Sequence, residues 1–248
     1  MKKKIINFII IISLILSGIV GGMFIKEFIH YKRIQNKWNE VSNQCIDENL
    51  IVDWDALKKI NNDVIAWVYI PEIDIAYPVL HSKNNNEYIR KDIYRNYDEV
   101  GSIFLDANNE PNFTDNNSII YGHSVQYLGG MFTNLNKFND IELIKKVKQF
   151  YILTPDNTYQ CKIKAFAKTD SRSVFYNYDF NNVYTLDDEP IKIEKEEILE
   201  KMEKDSIYFK LKKDDLNKRI VTLSTCAVEH GLYTNQRYVL LGIITNVY

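Results

Sequence analysis

Two residues near the end of the chain have side chains suited to acyl-transfer chemistry, Cys226 and Arg237. Cys226 ends residues 219–226 (RIVTLSTC), whose β-branched and apolar residues predict a buried strand. Arg237 begins a second apolar run, residues 237–245, which predicts another strand. If the two strands pair as a hairpin, the thiol lies beside the guanidinium at one rim of a sheet. A cation that keeps its proton can stabilise a thiolate or a developing oxyanion there.

The surroundings of these residues resemble a known family. Residues 222–226 (TLSTC), followed by Arg237, resemble the active-site signature of sortases, the cysteine transpeptidases of Gram-positive cell surfaces. Residues 119–123 (IIYGH) resemble the segment that carries their catalytic histidine, which is His123 here. The order His, Cys, Arg, with each residue at the end of a predicted strand, makes the combined signal much stronger than either pentapeptide alone.

The resemblance implies one role for each of the three residues. Cys226 would be the nucleophile, because a thiol is partly ionised and forms a thioester that an amine attacks readily. His123 would give and retrieve the proton, and Arg237 would stabilise the oxyanion or hold the substrate backbone. Taken singly, Cys226 would be interpreted as a core thiol, His123 as a loop histidine and Arg237 as a surface cation. His230, four residues from Cys226, is the alternative base, but a flexible loop is a poor platform for catalytic geometry.

Five further residues are candidates for the substrate groove. Ser224 and Thr225 adjoin the nucleophile and either line the groove or complete the strand. Arg90, Phe175 and Tyr176 fall roughly where class B sortases place groove residues, although Arg90 stands where a small polar residue is expected. The sequence has no Cys/His cluster with metal-ligand spacing and no glycine-rich phosphate loop, so we expect no cofactor.

The N-terminus predicts a membrane anchor. Three lysines, Lys2 to Lys4, precede the uncharged residues 5–25, and a helix of that length spans roughly 31 Å, enough to cross the hydrocarbon core. The run is longer than a usual signal-peptide core, which favours an uncleaved anchor over a cleaved signal. The leading lysines favour a cytoplasmic start, but Lys26, Lys32 and Arg33 follow the span. The resemblance implies an enzyme that faces outward, so we expect a single-pass membrane protein with an extracellular catalytic domain.

We therefore expect three parts: an anchor at residues 1–26, a helical linker at 27–62 that packs on the domain, and a catalytic domain at 63–248. Asp53 is the expected N-cap of a short helix over residues 54–60. Strands are expected at the ranges 63–70, 73–80, 101–106, 118–121, 150–154 and 158–169, besides the two described above.

Helices are expected at 86–93, from Gly129, and near the end of a long insertion at about 170–204. The helix over 194–204 carries one apolar stripe, Ile198, Leu199 and Met202, on an otherwise charged surface. An inserted helix here and a helical N-terminal segment resemble the class B branch. The implied fold class is α+β: a mixed, mostly antiparallel β-barrel with peripheral helices and an N-terminal transmembrane helix.

Composition and cysteine count narrow the functional classes. A net charge of −2 gives no electrostatic basis for binding nucleic acid. The three cysteines leave at least one thiol unpaired within the chain. Cys161 lies in an alternating strand pattern and is expected to be a plain buried thiol, with a Cys45–Cys161 disulfide as the alternative.

The resemblance also implies partners. They are surface proteins with a C-terminal sorting signal, cleaved after Thr, and an amine of a peptidoglycan precursor or cross-bridge, with membrane lipid around the anchor. The alternatives are a pilin-polymerising sortase with a lysine acceptor and a non-catalytic surface barrel. The glycine-bearing nucleophile motif of L,D-transpeptidases is absent.

Overall fold

A computed structural model describes residues 2–47, 50–125, 130–180, 183–186, 189–226 and 235–248, with backbone only at 2, 31, 183–186, 189–192 and 226. The chain divides into two compact units, residues 1–44 and 45–248. The first unit is helical and the second contains the sheet.

Helix α1 (Lys2–Cys45) makes up the first unit and continues past the predicted anchor without a break. Its apolar side chains near the N-terminus are exposed, for example Leu14 at 67% and Leu16 at 57%. By length and composition, α1 is the one helix among the described residues that could cross a membrane. In the second unit, α2 (Trp54–Ile60) begins where predicted, because the Asp53 carboxylate accepts a hydrogen bond from the Ala56 amide at 2.9 Å.

The described residues of the second unit contain eleven strands. They are β1 (Val64–Ile70), β2 (Ile75–Leu80), β3 (Ile103–Leu105), β4 (Asn117–Tyr121), β5 (Gln149–Leu153), β6 (Thr158–Asp170), β7 (Val183–Leu186), β8 (Glu189–Lys192), β9 (Ser206–Phe209), β10 (Ile220–Cys226) and β11 (Gln236–Val247). Two further α-helices in this unit are α3 (Ile141–Lys146) and α4 (Lys195–Asp205).

Eight of these strands close into a barrel. The hydrogen-bonded order is β11-β10-β4-β3-β2-β1-β5-β6, and β6 pairs back with β11 to close the ring. β2 pairs with β3, and β4 with β10, in parallel, whereas the other barrel pairs are antiparallel. β9 adds to β6 outside the ring, and β7 and β8 form a separate hairpin. The mixed, mostly antiparallel barrel is confirmed.

Apolar side chains hold this unit together in more than one place. The fully buried Phe150 ring of β5 lies so close to β11 that residue 242 must be glycine, since a Cβ there would lie 2.5 Å from Cε1 of the ring. A second cluster lies between the sheet and the insertion. Ile198 and Met202 of α4 are fully buried in this cluster, together with Val239 of β11. The predicted apolar stripe of the inserted helix is thus confirmed.

The structure differs from two of the predicted helices. Residues 86–93 form turns and an isolated bridge, because the carbonyls of Tyr88 and Arg90 accept hydrogen bonds from the amides of Ser102 and Asp98, both at 3.0 Å, in place of helical bonds. The helix predicted from Gly129, which lies outside the described residues, is replaced by a 3₁₀-helix at Thr133–Asn139. α3, β9 and the β7–β8 hairpin were not predicted.

The two described thiols are both buried and both free. Cys45 is 1% exposed and Cys161 is fully buried on β6, so the alternative of a disulfide between them is wrong. Burial raises the pKa of Cys161, which keeps the thiol protonated and unreactive.

Candidate active site

Three neighbouring strands of the barrel end at the same rim. β4 and β10 run in parallel, and their last paired residues are Tyr121 and Ser224. His123 lies two residues beyond this pair on one chain segment, and Cys226 lies two residues beyond it on the other. On the far side of β10, the antiparallel register sets Cys226 directly opposite Arg237. The backbone therefore brings together the three positions that the sequence analysis singled out.

A groove of about 340 Å³ opens at this rim. Five of the residues predicted for the site line it: His123, Arg237, Tyr176, Ser224 and Thr225. The other lining residues are Asn85, Ile89, Phe104, Tyr121, Gly122, Ser171 and Tyr178. The side chain of Cys226 and all of His230 lie outside the described residues, so neither is among these lining residues.

The environment of His123 lowers the pKa of its imidazole. Burial is the largest cause, and the nearby positive charge of Arg90 acts in the same direction. A hydrogen bond with the Val100 backbone and the negative charge of Asp98 oppose the shift without cancelling it. The neutral imidazole therefore dominates near pH 7, and this is the form that can accept a proton from a thiol or an amine.

Arg237 and Thr225 contribute polar groups to the groove. Arg237 is half-buried, and its Nη1 donates a hydrogen bond to the Gln236 carbonyl at 3.0 Å, which orients the guanidinium. Thr225 is 3% exposed, and its Oγ1 has no hydrogen-bond partner among the described residues. A buried hydroxyl without a partner costs free energy, so a ligand group in the groove that bonded to it would be favoured.

One wall of the groove is the 3₁₀-helix Val174–Tyr176 from the insertion. The Tyr176 hydroxyl and Ser224 Oγ are hydrogen-bonded at 2.7 Å, and the Tyr176 ring stacks on Tyr121 with centroids 6.4 Å apart. Asn117 of β4 fixes this wall from behind, because its Nδ2 donates to the carbonyls of Phe175 (3.0 Å) and Asn177 (2.8 Å).

Two of the predicted groove residues lie elsewhere. The Phe175 ring is fully buried in the cluster under α4, since the 3₁₀ turn directs neighbouring side chains to different sides. Arg90 is exposed and donates to the Glu99 carbonyl at 2.7 Å, and it is not among the lining residues. Its charge still acts on His123, so it belongs to the electrostatic surroundings of the site.

Comparison with known proteins identifies the family. The sequence model of the sortase domain matches residues 68–244. The chain belongs to the sortase family. It is 32% identical over 191 residues to Sortase B of Listeria monocytogenes, covering 75% of this chain and 71% of the relative. Sortases are cysteine transpeptidases, and the relatives place the chain in class B.

Solved structures agree in fold. A Streptococcus pyogenes class B sortase involved in pilus biogenesis is 32% identical, with a TM-score of 0.64 over 78% of this chain and 98% of that chain. Staphylococcus aureus Sortase B is 26% identical, with a TM-score of 0.67 over 90% of this chain and 100% of that chain. Both belong to class B, the branch that the inserted helix and the helical N-terminal segment indicated.

Proposed function

We propose that the chain is a membrane-anchored transpeptidase that cleaves a C-terminal sorting signal after Thr and transfers the shortened protein to a cell-wall amine. The observation that carries this proposal is the register of β4, β10 and β11, which sets His123, Cys226 and Arg237 at one rim beside a peptide-sized groove. The apolar α1 supports membrane anchoring. Action on surface proteins requires the catalytic domain to lie outside the cell, and this orientation is part of the proposal.

In the first half-reaction, neutral His123 takes the thiol proton of Cys226, and the resulting thiolate attacks the carbonyl carbon of the Thr–Xaa bond. The carbonyl electron pair moves to oxygen, and the Arg237 guanidinium stabilises the resulting oxyanion by charge and hydrogen bonding. The tetrahedral intermediate collapses to a thioester as the C–N bond breaks, and His123 protonates the departing amine.

In the second half-reaction, an acceptor amine attacks the thioester carbon. Neutral His123 takes the proton that the amine loses, an amide bond forms, and the Cys226 thiolate leaves. The lowered pKa of His123 favours the neutral base that this step needs near pH 7. Water in place of the amine would give slow hydrolysis, the thiol peptidase side activity expected of such an enzyme.

The test is a cleavage screen of the full-length chain in detergent against peptides with Pro-Xaa-Thr-Gly or Pro-Xaa-Thr-Asn cores. We expect Cys226→Ala and His123→Ala to abolish cleavage, and Arg237→Ala to lower the rate by about 10²–10³-fold. His230→Ala is the control for His123 and should remain active. Cleavage by the Cys226→Ala variant would contradict the mechanism, and loss of activity only in His230→Ala would contradict the choice of base.

A second candidate differs only in the acceptor. The similarity to a Streptococcus pyogenes class B sortase involved in pilus biogenesis favours a lysine side chain of another surface protein as the nucleophile for the thioester. Mass spectrometry of products formed with a peptidoglycan-type amine or with a lysine-containing peptide discriminates the two. A non-catalytic barrel would show neither product, and its Cys226 would not react with a methanethiosulfonate reagent.

A further inference from the structure

A buried carboxylate lies directly behind the groove. Asp106 follows β3 and is 1% exposed, and its own backbone amide donates to the Ile119 carbonyl at 2.8 Å. No lysine or arginine among the described residues forms an ion pair with it. Burial of a charge without a counter-ion costs free energy unless hydrogen bonds satisfy it fully. The neighbours of Asp106 must therefore supply those hydrogen bonds.

Neutral donors surround the Asp106 carboxylate. Oδ2 accepts from Asn85 Nδ2 at 3.0 Å, and Oδ1 accepts from the Tyr178 hydroxyl at 3.0 Å and the Asn108 amide at 2.9 Å. The negative charge of Asp106 also acts on the Tyr121 phenol and contributes to raising its pKa. Two of the three hydrogen-bonded residues, Asn85 and Tyr178, line the groove, as does Tyr121. One buried group thus holds two side chains of the groove.

Further contacts order these two side chains and the neighbouring Tyr121 ring. The Ala107 amide donates to Asn85 Oδ1 at 2.7 Å, Asn108 Nδ2 donates to the Tyr178 hydroxyl at 3.1 Å, and the Tyr121 ring stacks on Tyr176. These bonds use one donor and one acceptor of the Asn85 amide, and one of each remains. That pair matches the C=O and N–H of a peptide unit, so Asn85 is prepared to bind the backbone of an extended peptide.

The phenols keep their protons over the working pH range. Burial raises the pKa of Tyr121, with the Asp106 charge acting in the same direction. Burial also raises the pKa of Tyr178 to about 12, although the hydrogen bond from Asn108 opposes the shift. Both phenols therefore stay protonated, and the Tyr178 hydroxyl remains a donor to Asp106, at any pH at which the enzyme would act.

We infer that Asp106 is a positioning residue for substrate binding: its carboxylate fixes Asn85 and Tyr178 so that the groove accepts a peptide without reorganising. The inference rests on the proposed function for the identity of the ligand. Side chains that are already ordered lose less conformational entropy when the peptide binds. We therefore expect Asp106 to affect the affinity for the peptide more than the rate of the chemical step.

The first experiment is Asp106→Asn in the full-length chain in detergent, assayed with the Pro-Xaa-Thr-Asn peptide. An amide oxygen replaces only one carboxylate oxygen, and the new NH₂ group faces a donor, either Asn85 Nδ2 or the Tyr178 hydroxyl. We expect KM to rise about tenfold, the change that loss of one or two oriented hydrogen bonds gives. We expect kcat to stay within about threefold, and a fall in kcat at unchanged KM would overturn the inference.

A double-mutant cycle separates positioning from simple destabilisation. If Asp106 acts through Asn85, then Asp106→Asn should add little to the KM of Asn85→Ala, whereas independent effects would multiply. Tyr178→Phe removes one donor from the network with little risk to folding and should raise KM severalfold. Asp215→Asn is the matched control, since Asp215 is also buried, at 3% exposed, but its partners Lys164 and Lys218 do not line the groove. Its KM should equal that of the wild type.

A binding measurement distinguishes failure of this inference from failure of the proposed function. Fluorescence anisotropy of the same labelled peptide is measured with Cys226→Ala, alone and combined with Asp106→Asn, where no cleavage can occur. Tenfold weaker binding in the combined variant supports the role of Asp106 even if the wild type fails to cleave. Equal binding in both variants refutes it even if the wild type cleaves. Absence of binding to Cys226→Ala, together with absence of cleavage by the wild type, would refute both.

Discussion

Gly122, between the end of β4 and His123, allows a direct test of how the barrel positions the histidine. A Cβ at this position would lie 2.7 Å from Cδ2 and 2.8 Å from Cγ of Phe132, and 3.1 Å from Cγ1 of Ile103. Phe132 and Ile103 are both fully buried. To reach an ordinary carbon–carbon separation of about 3.5–4.0 Å, the ring must move by about 1 Å. Because the Phe132 amide donates to the His123 carbonyl at 3.2 Å, this movement displaces the histidine.

We expect Gly122→Ala to affect both stability and activity. Overpacking of this kind costs about 1–3 kcal/mol, which for a unit of this size lowers Tm by about 2–12 °C. A misplacement of about 1 Å at a catalytic group can lower kcat/KM by about 100-fold. The measurements are thermal unfolding and peptide cleavage at 25 °C, where the variant is still folded.

Gly242→Ala is the matched control. A Cβ there would lie 2.5 Å and 2.9 Å from Cε1 and Cζ of Phe150, a similar methyl-to-ring clash away from the groove lining. Its Tm should fall by a similar amount while kcat/KM stays within about twofold of the wild type. Equal activity of the two variants, or an unchanged Tm for Gly122→Ala, would refute the reasoning.

Two further predictions concern charge. Arg90→Gln should raise the pKa of His123, because the arginine charge lowers it, while Arg90→Lys should leave that pKa nearly unchanged. An NMR titration of the imidazole resonances measures the pKa in the wild type and in both variants. Equal pKa values in all three proteins would contradict this role of Arg90. Asp215→Asn should destabilise the domain by on the order of 3 kcal/mol in chemical denaturation at pH 7, since the buried carboxylate accepts hydrogen bonds from Lys164 and Lys218, both at 2.8 Å. Burial raises the pKa of Asp215, but these bonds outweigh it and lower the pKa overall, so this stabilisation is present above about pH 3.9 and is lost as the pH falls through the lowered folded-state pKa. A variant whose stability differs from the wild type by the same amount at pH 7 and in strong acid would contradict this account.

The strands and the rim of the site could be predicted from sequence because their signals are local. The β-branched runs that became β4, β10 and β11 carry the strand signal within a few residues, and the candidate catalytic positions lie where those runs stop. The N-cap of α2 and the buried stripe of α4 are likewise encoded by neighbours in sequence. The predicted helix at 86–93 is wrong because the carbonyls of Tyr88 and Arg90 accept hydrogen bonds from Ser102 and Asp98, and apolar periodicity within the segment does not report such contacts.

The walls of the groove could not be predicted, because they are formed by residues distant in sequence. Asn85 meets Asp106 across 21 residues, and Tyr178 meets Asp106 across 72. Phe175 and Tyr176 are adjacent in sequence, yet one ring is in the core and the other is in the groove. The geometry of the 3₁₀ turn in the insertion decides which of the two rings lies in the core. Tyr121 could have been predicted as a groove residue, because it lies within the segment IIYGH that carries His123.

The closed ring of eight strands separates two tasks in this fold. A ring has no free edge, so slippage of β4, β10 or β11 would break pairing around the whole circumference, and the relative heights of the three strand ends are fixed together. The groove walls, by contrast, come largely from connections outside the ring, such as the turn that carries Asn85 and the insertion that carries Tyr176. Substitutions in those connections can alter which peptide is accepted while the reacting groups keep their spacing.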